Sequence, residues 1–181
     1  MRLLPLLALM ITLASCVGPT APSRPVPRPV PPPVYTPPPP APRPTATPLS
    51  KDWRDWPVTP GDWVYRQDGR GSIALFGLPG ADAVLTLRCD RAASAIYLSR
   101  HGAAAGPVAM TIRTSTMLRT LSAAPTGGTP PYVAVAIQPR DALLDAIGFS
   151  RGHFVVEQAA ETTLVVPAWA EIERVTEDCR R

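Results

Sequence analysis

Residues 83–100, which read AVLTLRCDRAASAIYLSR, contain the pattern that decides the fold. Apolar and polar side chains alternate from Ala83 to Cys89 and again from Ala95 to Arg100, with a short connection between the two runs. A period of two residues is typical of a strand with one buried face, and it places Cys89 on the same face as the two leucines before it. The stretch therefore predicts an antiparallel hairpin whose apolar face lies in a core.

The same alternation recurs on both sides of this hairpin in short runs. The runs cover residues 62–66, 72–76, 108–113, 117–121, 132–137, 153–158 and 163–166. Turn-forming residues separate them, as in Asp68-Gly69 and in the Gly- and Pro-rich segment 124–131, which we expect to be a loop. About eight short strands are therefore expected.

Two segments change to the spacing of a helix. Residues 141–148 form a short helix that ends at Gly148. The second is expected to begin at Pro167 and end at Arg180; the residues that share its apolar face are Trp169, Ile172, Val175 and Cys179. The sequence thus predicts a mainly β fold, an antiparallel β-sandwich or small barrel with a short internal helix and a C-terminal helix.

The N-terminus carries a different kind of motif. Arg2 precedes the mostly apolar stretch Leu3–Leu13, which is too short for a permanent membrane span because such a helix needs about 20 residues. The tetrapeptide Leu13-Ala14-Ser15-Cys16 resembles the lipobox of bacterial lipoprotein signals. The resemblance implies that residues 1–15 are removed and that Cys16 becomes a lipid-modified N-terminus. An ordinary secretory signal with a chance cysteine is the alternative.

The residues after Cys16 bear on location. Lipoproteins that this sequence resembles usually stay at the inner membrane when Asp follows the acylated cysteine, and here Val17 and Gly18 follow. We therefore expect an outer-membrane protein, held by palmitate-type acyl chains on Cys16, with its domain facing the periplasm. Two or more acyl chains anchor firmly, whereas one anchors marginally.

Residues 16–51 are expected to form a stalk between the anchor and a domain at residues 52–181. The stretch 17–50 holds 15 of the 25 prolines and no acidic residue. Such a composition buries little apolar surface and favours polyproline II. A plain spacer and a recognition segment for a Pro-binding partner are both compatible with it.

The net charge of +4 belongs to the N-terminal part of the chain. Five of the 18 basic residues precede Asp52, which leaves 13 against 14 acidic residues in the domain, a charge near −1. A balanced domain without a basic helix does not suit nucleic acid, so no nucleic-acid partner is expected.

With Cys16 consumed by lipid, Cys89 and Cys179 remain as an even pair. An oxidising periplasm and the core-facing position of both residues predict a disulfide between them. A reactive thiol or a metal ligand is the alternative, but the sequence has no CxxC motif.

Candidate catalytic groups are few. Ser99 and His101 lie two apart on a strand and face the same side, and Glu157 and Glu161 flank a short turn as a possible carboxylate pair. Solvated side chains explain both patterns as well. No catalytic residues, metal ligands or cofactor are predicted.

Three tryptophans, Trp53, Trp56 and Trp63, fall within eleven residues and alternate with aspartates. Trp53 and Trp56, together with the loop 125–131, are a possible ligand face on which indoles stack against sugar rings. The alternative is that Trp63 enters the core while the other two pack the stalk against the domain.

The stretches 141–146, 150–156 and 163–167 are similar in layout to the C-terminal half of invasion-associated locus B proteins. The likeness covers about 30 of the 181 residues. It implies a secreted, β-rich protein in which a short helix, a turn and two strands follow one another, and it implies no catalytic residues.

These observations favour a lipid-anchored, non-catalytic module that binds or scaffolds a cell-wall or envelope-protein partner. The alternative is a hydrolase that acts on peptidoglycan or another cell-wall polysaccharide through Glu157, Glu161 or His101.

Overall fold

Nine strands and two α-helices make up the described domain in the computed structural model, which describes Gly18 and residues 50–181. The strands are β1 Asp62–Asp68, β2 Gly71–Gly77, β3 Leu85–Asp90, β4 Ala95–His101, β5 Val108–Arg113, β6 Leu118–Pro125, β7 Tyr132–Ile137, β8 His153–Gln158 and β9 Leu164–Pro167. Helix α1, Ala142–Gly148, joins β7 to β8, and helix α2, Ala170–Arg180, follows β9. A 3₁₀ turn at Trp53–Asp55 precedes β1.

The chain divides by its contacts into residues 1–45 and residues 46–181, and all these elements belong to the second unit. Cys16, the predicted signal at residues 1–15 and nearly all of the predicted stalk at residues 16–51 lie outside the described residues.

The strands form one antiparallel sheet in the order β1-β2-β3-β4-β7-β6-β5-β8-β9. Strand β6 belongs to two ladders, because its residues 118–123 pair with β5 and its last two residues pair with β7. The chain before β1 and the start of β1 meet β9 at the other edge. The amide of Thr59 donates to the Val165 carbonyl at 2.8 Å, and the indole of Trp63 donates to the Pro167 carbonyl at 2.9 Å. The predicted mainly β fold, a sandwich or small barrel, is confirmed.

Aspartates shape the two tight hairpins. The Asp68 carboxylate accepts from the amides of Arg70 and Gly71 at 2.9 and 3.2 Å, which closes the β1–β2 turn. Asp90 accepts from the amide of Ala93 at 3.1 Å and closes the β3–β4 turn in the same way. Aspartate favours such turns because its short side chain reaches amides two or three residues further along the chain.

The core lies on the face that the alternation predicts. Leu85, Leu87 and Cys89 are buried, while Thr86 and Arg88 point outward. The largest fully buried side chains are Phe76, Phe154, Leu85, Leu87, Ile96, Leu98, Met110, Ile112, Leu143, Leu144, Ile147 and Ile172. Trp63 also enters this core, as its proposed structural role requires.

Helix α2 packs its Ile172 and Val175 against the sheet, where it contacts β1 to β4. At its end Cys179 is bonded to Cys89 of β3, with their Cα atoms 5.3 Å apart. The predicted disulfide is present and ties the C-terminal helix to the sheet.

Two predicted boundaries are wrong. Pro167 does not open the last helix but ends β9, because His153 pairs with it across the β8–β9 ladder. Trp169 is consequently the residue before α2; it is 45% exposed and does not share the helix's apolar face. The expected loop at 124–131 begins instead at Thr126, since residues 124 and 125 extend β6 along β7.

The interface between α1 and α2 contains a partly buried carboxylate. An ideal Cβ built on Gly148 would lie 1.5 Å from Oε1 of Glu173, so the carboxylate fills the space that glycine leaves. This oxygen has no hydrogen-bond partner among the described residues. Burial, followed by the nearby Asp145, raises the pKa of Glu173 above its usual value.

The raised pKa predicts that Glu173→Gln stabilises the protein near neutral pH. The folded state binds the Glu173 proton more tightly than the unfolded state does. The stability of the protein therefore rises as pH falls through the folded-state pKa. Above that pKa the ionised carboxylate destabilises the folded state. Thermal unfolding of Glu173→Gln should show a higher midpoint than wild type at about pH 7, with the difference vanishing near pH 4. Glu171→Gln, in the first turn of the same helix and outside the charges that shift the pKa of Glu173, is the control. A lower midpoint for Glu173→Gln at neutral pH would contradict this account.

Candidate functional site

The outward face of β2, β3, β4 and β7 carries a row of one leucine and three small side chains. The register pairs Leu75 with Thr86, Thr86 with Ser99, and Ser99 with Ala134. These four residues cross four neighbouring strands, a distance of about 14 Å at the usual strand spacing. Small side chains in one row leave a depression in the surface of the sheet, and we call this row and its rims the outer groove.

Two adjoining depressions make up the outer groove. One, of about 220 Å³, is lined by Arg70, Thr86, Arg88, Tyr97, Ser99, Thr126 and Ala134. The other, of about 300 Å³, is lined by Leu75, Thr86, Ser99, Thr126 and Tyr132. Because Thr86, Ser99 and Thr126 line both, the two form one continuous surface.

Ion pairs fix the arginine rim of the outer groove. Arg70 donates to the Asp90 carboxylate at 2.5 Å, and its hydrogen bond lowers the pKa of Asp90. Arg88 lies 2.8 Å from the carboxylate of Asp68, and its hydrogen bond likewise lowers the pKa of Asp68. Each guanidinium is held beside a hairpin turn, because the aspartate that pairs with it also closes that turn. The two turns therefore position the arginine rim.

The opposite rim is formed by Tyr132. Its hydroxyl donates to the Ala83 carbonyl at 2.6 Å, and burial raises the pKa of Tyr132. The edge of the His101 ring packs against Tyr132 with the ring centroids 5.3 Å apart. The phenol is therefore held between the β2–β3 loop and the end of β4.

The floor of the outer groove offers polar groups that the fold does not use. The hydroxyl groups of Thr86, Tyr97 and Ser99 make no hydrogen bond to any residue within 50–181, and all three side chains are partly exposed. Together with the Tyr97 ring, they present both donors and an aromatic face to a ligand. This combination suits a ligand that is rich in hydroxyl groups and has an apolar ring face.

The predicted Ser99 and His101 do face the same side, on β4. No hydrogen bond joins them in the described part of the chain, and His101 contacts Tyr132 instead. A catalytic serine needs a base within hydrogen-bond reach and an acid that orients the base. The described residues do not give Ser99 such a hydrogen bond to His101.

Glu157 and Glu161 have different neighbours. Glu157 lies 3.7 Å from Arg113 on the adjacent strand. Glu161, in the β8–β9 turn, lies against Gly102, where an ideal Cβ would be 2.7 Å from its Oε1. The structure thus places one carboxylate on the face of β5 and β8 and the other at the end of β4.

Trp53 and Trp56 are both partly buried against the domain. The Trp53 ring meets the edge of the His153 ring with centroids 5.3 Å apart, and the carbonyl of Trp53 lies 3.2 Å from Nε2 of the same histidine. The Trp56 indole donates to the Ser50 carbonyl at 2.7 Å. His153 begins β8, whereas the loop 126–131 joins β6 to β7 at the opposite end of the sheet. The tryptophans and the loop therefore do not form one face.

Sequence reasoning missed the outer groove and one buried charge. Arg100 is 2% exposed and points into the core, where it donates to the carbonyls of Val156, at 2.9 Å, and Thr162. Burial lowers the pKa of Arg100, and the charge of Glu161 opposes this shift. The alternation of apolar and polar residues in β4 puts Arg100 on the inner face, so the sequence did contain a signal of its burial. The guanidinium fastens β4 to β8 and to the turn after it.

Among the described residues, neither helix has the length and hydropathy needed to cross a bilayer. Within 50–181 no group of three or more His, Cys, Asp or Glu side chains is placed to hold a metal ion. The resemblances to lipoproteins and to invasion-associated locus B proteins stay predictions. Comparison with protein-family models, with curated proteins and with solved structures finds no match for this chain.

Proposed function

We propose that this chain is a lipid-anchored protein of the outer membrane whose periplasmic β domain binds an envelope polysaccharide without cleaving it. The observation that carries the binding role is the outer groove, with its unused hydroxyl groups and its two tyrosines. The lipobox at Leu13–Cys16 and the proline-rich segment support the location.

A polysaccharide fits the outer groove better than an apolar ligand does. The floor is formed mainly by hydroxyl-bearing and small residues, Thr86, Ser99 and Ala134, with Leu75 as one large apolar side chain. Sugar hydroxyl groups can exchange hydrogen bonds with these side chains and accept from the arginine rim, while a sugar ring stacks on Tyr97. The depression is also open and elongated, which suits a linear chain of sugar rings.

We expect Ala134→Arg to abolish polysaccharide binding, because its long side chain fills the row between Ser99 and the edge of the groove. Ala109→Arg is the matched control, since Ala109 is an exposed outward alanine on β5, outside the groove. Calorimetric titration with soluble peptidoglycan and other envelope glycan fragments measures the effect. Wild type and Ala109→Arg should bind equally, and Ala134→Arg should bind at least tenfold more weakly.

Two results would contradict the proposal. Equal affinity of Ala134→Arg and wild type would remove the outer groove from the function. Release of glycan products during the titration, abolished by alanine at Glu157, Glu161 or His101, would show that the hydrolase alternative is correct.

A further inference from the structure

A second surface of this domain exposes large apolar side chains. Among the described residues, Phe149 is 72% exposed, Leu118 is 59% exposed and Trp169 is 45% exposed. They lie in the α1–β8 loop, at the start of β6 and in the link between β9 and α2. We call these three residues the apolar end patch.

Hydrogen bonds join the three segments that carry the apolar end patch. The Ser150 hydroxyl accepts from the amide of Ser115 at 3.0 Å, and the Ser115 hydroxyl accepts from the amide of Arg151 at 3.2 Å. The amide of Ala168 donates to the Gly152 carbonyl at 3.2 Å. The patch therefore belongs to one continuous end of the sheet, at the end of β5 and the start of β8.

The continuous described chain also begins at this end. Ser50 is held by the Trp56 indole, and Trp53 of the same segment lies against His153, the first residue of β8. Ser50, the first residue of the continuous described chain, therefore lies at the same end of the sheet as the apolar end patch. The outer groove opens on the side of the sheet, on other strands.

Charges near the patch are largely paired. Arg119, next to Leu118, lies 2.7 Å from the carboxylate of Asp141. Arg54 lies 3.3 Å from the carboxylate of Asp52, and its guanidinium lies 5.2 Å from the centre of the Trp53 ring. Arg151, two residues after Phe149, is exposed and forms no ion pair with the described residues. We therefore expect attraction to this surface to come mainly from burial of apolar area, with a smaller, salt-sensitive contribution from Arg151.

We propose that the apolar end patch docks on the lipid bilayer to which the chain is anchored, with Phe149, Trp169 and Leu118 inserted at the headgroup level. This inference rests on the proposed lipid anchor. Aromatic and leucine side chains on a protein surface favour the interfacial region of a bilayer. Residues 17–49, a tether of 33 residues between Cys16 and the described domain, have a reach on the order of 100 Å. Such a tether keeps the domain near the membrane at an effective concentration on the order of 1 mM. Weak docking is therefore sufficient.

Co-sedimentation with vesicles of phosphatidylethanolamine and phosphatidylglycerol tests the inference, at about 5 mM lipid so that the lipid exceeds the effective concentration that the tether provides. The chain from Val17 to Arg181 is used, because it lacks the acyl group but keeps every described strand and helix and the disulfide. We expect wild type to bind the vesicles and to remain bound at about 0.5 M salt, where surface charges are screened. The double variant Phe149→Ser, Trp169→Ser should bind at least tenfold more weakly. Leu78→Ser, which alters a side chain 56% exposed in the β2–β3 loop, should bind as wild type does.

Three outcomes would overturn the inference. Wild type could fail to bind vesicles, the double variant could bind as wild type does, or salt could release the protein. Sedimentation velocity identifies a protein interface instead, if wild type forms a dimer that the double variant abolishes. Unfolding midpoints show whether the variants keep the fold, and serine at position 169 is itself a favoured N-cap for α2. Fatty-acid labelling of Cys16 tests the anchor separately, so failure of docking and failure of the proposed function can be distinguished.

Discussion

Removal of the disulfide by the double substitution Cys89→Ala, Cys179→Ala is expected to lower the free energy of unfolding by about 3–4 kcal/mol. The bond links residues 90 apart in the sequence, so it removes much conformational freedom from the unfolded chain. It also fastens α2 to β3, where Cys89 is fully buried. Urea denaturation followed by circular dichroism measures the loss.

Reduced wild type is the control for this experiment. It has the same core volume as the oxidised protein but lacks the bond, so it separates the loss of the cross-link from the loss of two sulfur atoms. Reduced wild type and the double variant should unfold at similar urea concentrations, well below oxidised wild type. An unchanged midpoint after verified reduction would show that the bond contributes nothing to stability.

Cys16→Ser is expected to eliminate fatty-acid incorporation completely, because the thiol is the only group in the proposed lipobox that can take the diacylglyceryl group in thioether linkage. Growth with a labelled fatty acid, followed by immunoprecipitation, measures the effect. Incorporation is a better readout than cell fractionation, since an uncleaved precursor keeps the apolar stretch Leu3–Leu13. Ser15→Ala, which keeps a small residue before the cysteine, should be labelled like wild type. Label on Cys16→Ser would contradict the anchor.

The strands could be predicted because their inward residues alternate visibly. Leu85, Leu87 and Cys89 indicate one buried face within seven residues, and a tight turn fixes the partner strand. The order of the sheet could not be predicted in the same way. Strand β4 pairs with β7 rather than with β5, and β5 pairs with β8. Such pairings depend on the packing of segments that are distant in sequence, which local alternation does not record.

The outer groove could not be predicted for the same reason. Thr86 and Ser99 can be placed on an outward face from the pattern of their own hairpin. Ala134 joins their row only because β7 lies beside β4 in one particular register. Arg100 shows a related limit, since the alternation points it inward while its charge suggests solvent. The carbonyls of Val156 and Thr162 that accept its hydrogen bonds belong to a distant part of the chain.

The prediction for Trp169 was wrong because of Pro167. Proline is common at the first position of a helix, so Pro167 favours a helix start when only its neighbours are considered. In the structure the pairing of β9 with β8 continues to that residue, and the helix begins three residues later. The indole consequently lies on the surface, in the apolar end patch.

Binding of an envelope polysaccharide in the outer groove is the central claim. Amide chemical shifts of the isotope-labelled chain from Val17 to Arg181, recorded during titration with soluble envelope glycan fragments, test it most directly. We predict that the shifted amides cluster at Leu75, Thr86, Tyr97–Ser99 and Ala134, with little change at Trp53 and Trp56. Shifts confined to Trp53 and Trp56, or no shifts with any envelope glycan, would contradict the claim.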